Sequence, residues 1–301
     1  MENSGFLTTA LPLALAIIML GLGLGLTVDD FKRIGRNPRA VLIALGIQLV
    51  ILPAIALALI YLVGLRGALA VGVILLAASP GGTTANLFSH LFRGDVALNV
   101  SLTAINSVIA VFTLPLFTNI ALALFLPESD EIGLQFGKAA QVFAIVLLPV
   151  VIGMTIRRVW PGIAARSDRP VRIFSVIVLA AITVGAIAAE RENVLEYLTD
   201  VGVVTGLFCL FSLSIGYFLS RTLKLSHRQS VAASMEIGVH NTTIAMTIGM
   251  SVMGSAELAI PAAVYSILMY ILAPIFGFAI TRGRRGDDES ERDAQPSAVV
   301  R

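Results

Sequence analysis

Charge is scarce in this sequence. Only 13% of its 301 residues are Asp, Glu, Lys or Arg, against about 25% in soluble globular domains. Hydrophobic residues make up 57% and fall in long uninterrupted runs, which excludes a soluble enzyme, a nucleic-acid binder and a disordered chain alike. The single cysteine, Cys209, excludes a disulfide framework and every multi-cysteine metal or iron–sulfur site. What is present instead is an integral membrane protein's composition, with 26 Gly and 12 Pro, residues tolerated in membrane helices.

A spanning helix needs about 20 apolar residues. Nine such spans are predicted, at 7–27, 39–63, 67–92, 95–126, 134–157, 171–190, 200–221, 228–253 and 257–281. The first run has no basic start and no cleavage site after it, so it is expected to be structure rather than a signal peptide. Eighteen of the 21 Lys and Arg fall in the loops after odd-numbered spans or in the tail, leaving Arg66, Lys138 and Arg191 on the other face. That bias predicts an external N-terminus and a cytoplasmic C-terminus, and the expected location is the inner membrane. Residues 283–301, charged and aperiodic, read as a disordered cytoplasmic tail, leaving 1–282 as the membrane domain.

Two spans carry interruptions. Span three contains Ser79-Pro80-Gly81-Gly82-Thr83-Thr84-Ala85-Asn86, and span eight contains Ser234-Met235-Glu236-Ile237-Gly238-Val239-His240-Asn241-Thr242-Thr243. Proline removes a donor and glycine frees the backbone, so Pro80, Gly81, Gly82 and Gly238 mark expected helix breaks, although a proline alone is equally an ordinary kink. Unwound backbone survives in lipid only when buried in protein or lining a cavity. Spans one to four and six to nine run oppositely about span five, and a break lies in the third member of each set. That is the layout of inverted repeats whose discontinuous helices meet at the midplane. Freed carbonyls there suit a cation, and half-helix N-termini suit an anion.

Glu236 is the sharpest position, because a carboxylate at membrane centre costs about 2.5–3.5 kcal/mol on insertion scales. Either a cation neutralises it or it is a protonated or hydrogen-bonded structural group. Asn99, Thr103 and Asn106 form one polar stripe on span four, which serves cation binding or interhelical hydrogen bonding. Thr83, Asn241 and Thr242 sit at half-helix N-termini, where they cap the helix, hold a carboxylate, or both. His90 and His227 lie near cytoplasmic ends and read as solvated, Cys209 as packing, and Trp160 as an interfacial anchor. An intramembrane enzyme would need a nucleophile–base pair or a metal cluster, and neither is visible.

These residues resemble the bile acid:sodium symporter family over most of the chain. The resemblance rests on Gly23-Leu24-Gly25-Leu26-Thr27 leading to Asp30-Phe31, Gln48 before Pro53, Pro80-Gly81-Gly82-Thr83 reaching Asn86, Arg93-Gly94-Asp95 through Thr103, and Glu236, Gly238 and Asn241. It implies an all-α, nine-span transporter with two crossing broken helices. Spans two to four and seven to nine would form a core, and spans one, five and six a panel. It implies two sodium ions. The first would be held by Ala85, Asn86, Asn99, Thr103 and Glu236, the second by Gln48, Glu236, Ile237, Val239 and His240. The substrate's carboxylate would be held by Thr83 and Asn241, with Thr242 beside them. Ala85 and Asn99 stand where hydroxyl residues are usual, and His240 where glutamine is usual. Since sodium binds nitrogen poorly and histidine titrates near neutral pH, His240 opens the alternative of a proton-modulated carboxylate transporter. The other alternative is an arsenite-type exporter of related fold. The expected substrate is a small monocarboxylate such as pantoate or pyruvate, or a bile-acid-like steroid, imported by alternating access; no nucleic acid and no obligate protein partner is expected.

Overall fold

The computed structural model describes residues 38–127, 136–167 and 194–282, with scattered positions between 13 and 35 and between 170 and 177. The expected span at 7–27 lies about half outside them, the one at 171–190 largely so, and the tail at 283–301 wholly so. Among the described residues the chain is helical, without a strand, and four helices are long and apolar enough to cross a membrane: Pro38–Val63, Val96–Phe125, Val201–Thr222 and Glu257–Thr281.

The first of these, α1 (Pro38–Val63), contains a π turn at Ile47–Ile51 in which the Leu52 amide reaches the Ile47 carbonyl. Pro53 follows directly. It has no N–H and would crowd a regular turn, so a widened one accommodates it, and Gln48 is carried there. The helix stops at Gly64, whose φ of 80° closes the end with Gly64 and Leu65 amides both on the Ile60 carbonyl.

Next come α2 (Gly67–Ala78) and α3 (Thr83–Leu91), the two halves of the first broken span. α4 (Val96–Phe125) starts on Asp95, whose carboxylate accepts from the Leu98 amide at 3.0 Å. α5 (Phe136–Val159) and α6 (Val194–Thr222) follow. α7 (His227–Gly238) opens with a reciprocal Ser226–Gln229 capping box. α8 (Thr242–Thr247) runs on into a π turn, Ile248–Val252, and α9 spans Ile260–Thr281. Arg39 and Arg221 donate to the free carbonyls of Leu223 and Leu225, tying off the C-terminal end of α6.

α2 is buried at every position from Ala70 to Ala78, and α7 from Ser230 to Gly238. An uninterrupted apolar run explains α2. α7 instead carries Ser230, Ser234 and Glu236 into the interior, where Ser234 satisfies itself on the Leu213 carbonyl of α6 at 2.7 Å. α6 and α7 pack backbone to backbone through small residues, as membrane helices do where lipid supplies no hydrophobic drive. A Cβ on Gly216 would lie 2.8 Å from the Ser234 Cα and 3.4 Å from the Ala233 carbonyl, while a Cβ on Gly202 meets nothing within 4 Å.

Gly216→Val is therefore expected to lower stability by roughly 1–3 kcal/mol, the usual cost of overpacking, whereas Gly202→Ala stays neutral or gains up to about 1 kcal/mol from helix propensity. Thermal unfolding of the two purified variants checks this; equal melting temperatures would refute the close α6–α7 contact.

Candidate ion and substrate site at the crossing of two broken helices

The two interruptions meet. Residues 79–82 separate α2 from α3, and residues 239–241 separate α7 from α8. Gly81 and His240 form an isolated antiparallel bridge, in which the Gly82 amide donates to the Val239 carbonyl at 2.9 Å and the Asn241 amide to the Pro80 carbonyl at 2.8 Å. Each break thus satisfies backbone groups that the other leaves open.

Glu236, two residues before this bridge, is fully buried. Its Oε2 accepts from the Thr103 hydroxyl at 2.6 Å and its Oε1 from the Asn106 amide at 3.4 Å. The Thr103 hydroxyl is also 3.1 Å from the Asn99 carbonyl, but it has one proton to give. The Gly81 backbone amide is a third partner, and all three are neutral. Among the described residues the ion pair found is the exposed Lys32–Asp29 contact, so no basic side chain there neutralises Glu236. A Cβ on Gly81 would overlap the Glu236 carboxylate; glycine is required for this close approach.

The amides of Asn99 and Asn106 are oriented by their hydrogen bonds. Asn99 Nδ2 donates to the Ala232 carbonyl at 2.7 Å; since a carbonyl only accepts, Oδ1 is turned away from it. That oxygen, Asn106 Oδ1 and Asn86 Oδ1 are buried and accept from no protein donor. Unpartnered buried acceptors are costly. A carboxylate, amide oxygens and a hydroxyl are the donor chemistry of a hard cation, and that is the chemistry of the first predicted ion-binding set. Ala85, buried with its amide on the Gly82 carbonyl, has only a backbone oxygen to offer. Asn106, outside the ligand set that the resemblance implies, belongs to the carboxylate's hydrogen-bonding partners; its place on the polar stripe was the available signal.

The second predicted set is organised differently. Gln48 Nε2 donates to the Ser79 carbonyl at 3.1 Å, and His240 Nδ1 lies 3.0 Å from that oxygen. The carbonyl can only accept, so Nδ1 carries the proton there and Nε2 the lone pair in the neutral ring. The imidazole stacks on Phe208 (centroids 5.6 Å apart) and meets Tyr265 edge-on at 5.4 Å. Among the described residues no hydrogen bond joins Glu236 to Gln48 or the His240 ring. Ile237 is buried in the core. Ser79 and Tyr265, whose hydroxyl donates to the Gly238 carbonyl at 2.8 Å, were not foreseen: one acts through its backbone and the other lies on a distant span.

Of the predicted substrate-binding residues, Thr83 is the first residue of α3, with a side chain outside the described set. Asn241 caps α8, its Oδ1 accepting from the Ile244 amide at 3.4 Å. Thr242 opens α8, buried, with a hydroxyl that has no protein partner. His227 corrects the expectation of a solvated residue. It is 8% exposed, with Nδ1 2.9 Å from the Tyr217 hydroxyl, because the α6–α7 turn folds it inward, whereas His90 is exposed. Cys209 is buried in α6, away from both interruptions in sequence, and Trp160 is exposed.

The model of the Sodium Bile acid symporter family matches residues 12–197, a stretch holding the first interruption, Asn86, Asn99 and Thr103. The chain is 29% identical over 242 residues to the uncharacterized sodium-dependent transporter YocS of Bacillus subtilis (strain 168), covering 80% of this chain and 74% of that one. It is 26% identical over 244 residues to the probable sodium/metabolite cotransporter BASS2, chloroplastic, of Oryza sativa subsp. japonica (81% and 57%), and 30% identical over 222 residues to the P3 protein of Homo sapiens (73% and 46%). It spans less than two thirds of the length of the last two. This chain belongs to the Sodium Bile acid symporter family.

Proposed function

We propose that this protein is a sodium-coupled secondary transporter that imports an organic anion by alternating access. The observation that carries the reading is Glu236, a fully buried carboxylate whose hydrogen-bonding partners are all neutral and whose surroundings hold unpartnered amide oxygens. Leaving one charge buried and uncompensated costs about 3–5 kcal/mol. A sodium ion bound by Glu236, Asn86, Asn99, Thr103 and the Ala85 backbone removes that cost and satisfies the orphaned oxygens together. The cation then sits near the half-helix N-termini of α3 and α8, where Thr83, Asn241 and Thr242 would receive the substrate's carboxylate. Sodium binding therefore favours anion binding, which is the thermodynamic content of coupling. A tenfold sodium gradient supplies about 1.4 kcal/mol per ion.

The names of the relatives, a sodium-dependent transporter and a sodium/metabolite cotransporter, support sodium as the driving ion. The substrate we favour is a small monocarboxylate such as pantoate or pyruvate over a bile-acid-like steroid. Around this site we propose nine spans in two inverted repeats, with spans two to four and seven to nine as the core, spans one, five and six as the panel, and 283–301 as a cytoplasmic tail. We place it in the inner membrane, and the 18-to-3 distribution of basic residues supports an external N-terminus.

Three outcomes are expected. Purified protein screened against small carboxylates gains thermal stability from the substrate in sodium but not in choline; stabilisation that ignores sodium would contradict coupling. Glu236→Gln, which keeps the shape and removes the charge, folds but loses sodium-driven accumulation in proteoliposomes, and retained accumulation would remove the role assigned to Glu236. Thr103→Ala weakens apparent sodium affinity by about tenfold or more, since hydrogen bonds to charged groups are worth about 1.5–3 kcal/mol; an unchanged affinity would exclude Thr103 from the site.

A further inference from the structure

We infer that the turn between α6 and α7 binds an anionic phospholipid, whose phosphate is held by Arg39, Arg221 and Lys224 and whose acyl chains lie on Leu42 and Phe218. This surface is apart from the crossing of the broken helices, and its role does not depend on which ion or anion is carried.

Two guanidinium groups from distant parts of the chain converge on the turn. Arg39, in the first turn of α1, donates through Nη2 to the Leu223 carbonyl at 2.9 Å. Arg221, in the last turn of α6, donates through Nη1 to the Leu225 carbonyl at 2.7 Å. Carbonyls two residues apart lie within about 7 Å of each other. Lys224 stands between them in the left-handed region, with φ 61°. It is exposed, and its side chain has no ion pair or hydrogen bond among the described residues. Three positive charges therefore gather within a distance comparable to the Debye length of about 8 Å at physiological salt.

Nothing described in the chain balances them. The salt bridge found among the described residues is Lys32–Asp29, so no acid there pairs with any of the three. Carbonyl capping leaves most of their capacity unused, since a guanidinium has five N–H donors and each arginine spends one. The helix dipoles cancel: the C-terminus of α6 contributes about half a negative charge and the N-terminus of α7 about half a positive one. A phosphate supplies the missing charge, and guanidinium groups match its oxygens in pairs.

The surface beneath the cations is apolar and open. Leu42, three residues after Arg39, is 69% exposed, and Phe218, three residues before Arg221, is 56% exposed. Helix residues three apart share a face, so each arginine has an exposed apolar side chain one turn deeper in its span. Cations above and apolar side chains below match the headgroup and acyl chains of a phospholipid, whereas free phosphate would use the cations alone. The distribution of basic residues puts this turn at the cytoplasmic leaflet, where anionic lipids attract basic clusters.

The test titrates the full chain in detergent, without sodium, with phosphatidylglycerol, phosphatidylcholine or inorganic phosphate, and counts bound molecules by native mass spectrometry. Phosphatidylglycerol is expected to fill one saturable site, with the other two bound about tenfold more weakly or worse. Equal binding of phosphatidylcholine would overturn the inference, and equal binding of phosphate would reduce the site to one for a free anion and overturn the lipid. Arg39→Gln, Arg221→Gln and Lys224→Gln together keep N–H donors for both carbonyls and remove three charges. Affinity for phosphatidylglycerol is expected to fall about fivefold per charge, roughly a hundredfold in all, while Lys32→Gln leaves it unchanged. An equal loss in Lys32→Gln would mean a diffuse field instead of a site and overturn the inference. Should the triple variant fail to fold, Lys224→Gln alone disturbs no hydrogen bond, and an affinity equal to wild type in that variant would exclude the turn. Failure of any arm leaves the sodium-coupled reading standing.

Discussion

The structure depends on two helices being broken at the same place. Within a bilayer an unwound backbone has no water to bond to, so a single interrupted helix would leave several carbonyl and amide groups open at a cost of a few kcal/mol each. Here the extended segment at 79–82 and the one at 239–241 serve as partners for each other, through Gly82 to Val239 and Asn241 to Pro80. Neither interruption is stable without the other. The close backbone approach also explains why glycine and proline flank the first crossing point: Gly81 leaves the volume that the Glu236 carboxylate occupies.

Once the crossing exists, it creates two chemically unequal neighbourhoods. On the α4 side, Thr103 and Asn106 face a carboxylate with neutral donors while amide oxygens remain without donors. On the α1 side, the π turn before Pro53 brings Gln48 to Ser79, and His240 joins the same carbonyl. The first neighbourhood has negative charge and spare oxygen; the second has two donors on one carbonyl and leaves Gln48 Oε1 and His240 Nε2 without a protein partner. The difference follows from which side chains the two faces of α7 and its extension present.

Much of this was legible in the residues. Pro80-Gly81-Gly82 and the polar cluster from Glu236 to Thr243 locate both interruptions, because proline and glycine act locally and polar groups at membrane depth are conspicuous against an apolar background. The stripe of Asn99, Thr103 and Asn106 follows from helical spacing alone. His227 was misjudged for the opposite reason: its sequence position at a loop suggests water, and only the fold of the α6–α7 turn buries it against Tyr217.

By itself the sequence determined the membrane class, the locations of the helix interruptions and the one acid placed where charge is costly, since these depend on composition and short-range chemistry. Tertiary structure decided which interruption partners which, that Asn106 serves the carboxylate, and that the His240 imidazole and Gln48 spend their donors on the Ser79 carbonyl. Those outcomes depend on contacts between residues 31 to 161 positions apart, and spacing along the chain carries no information about which backbone carbonyl a distant side chain will meet.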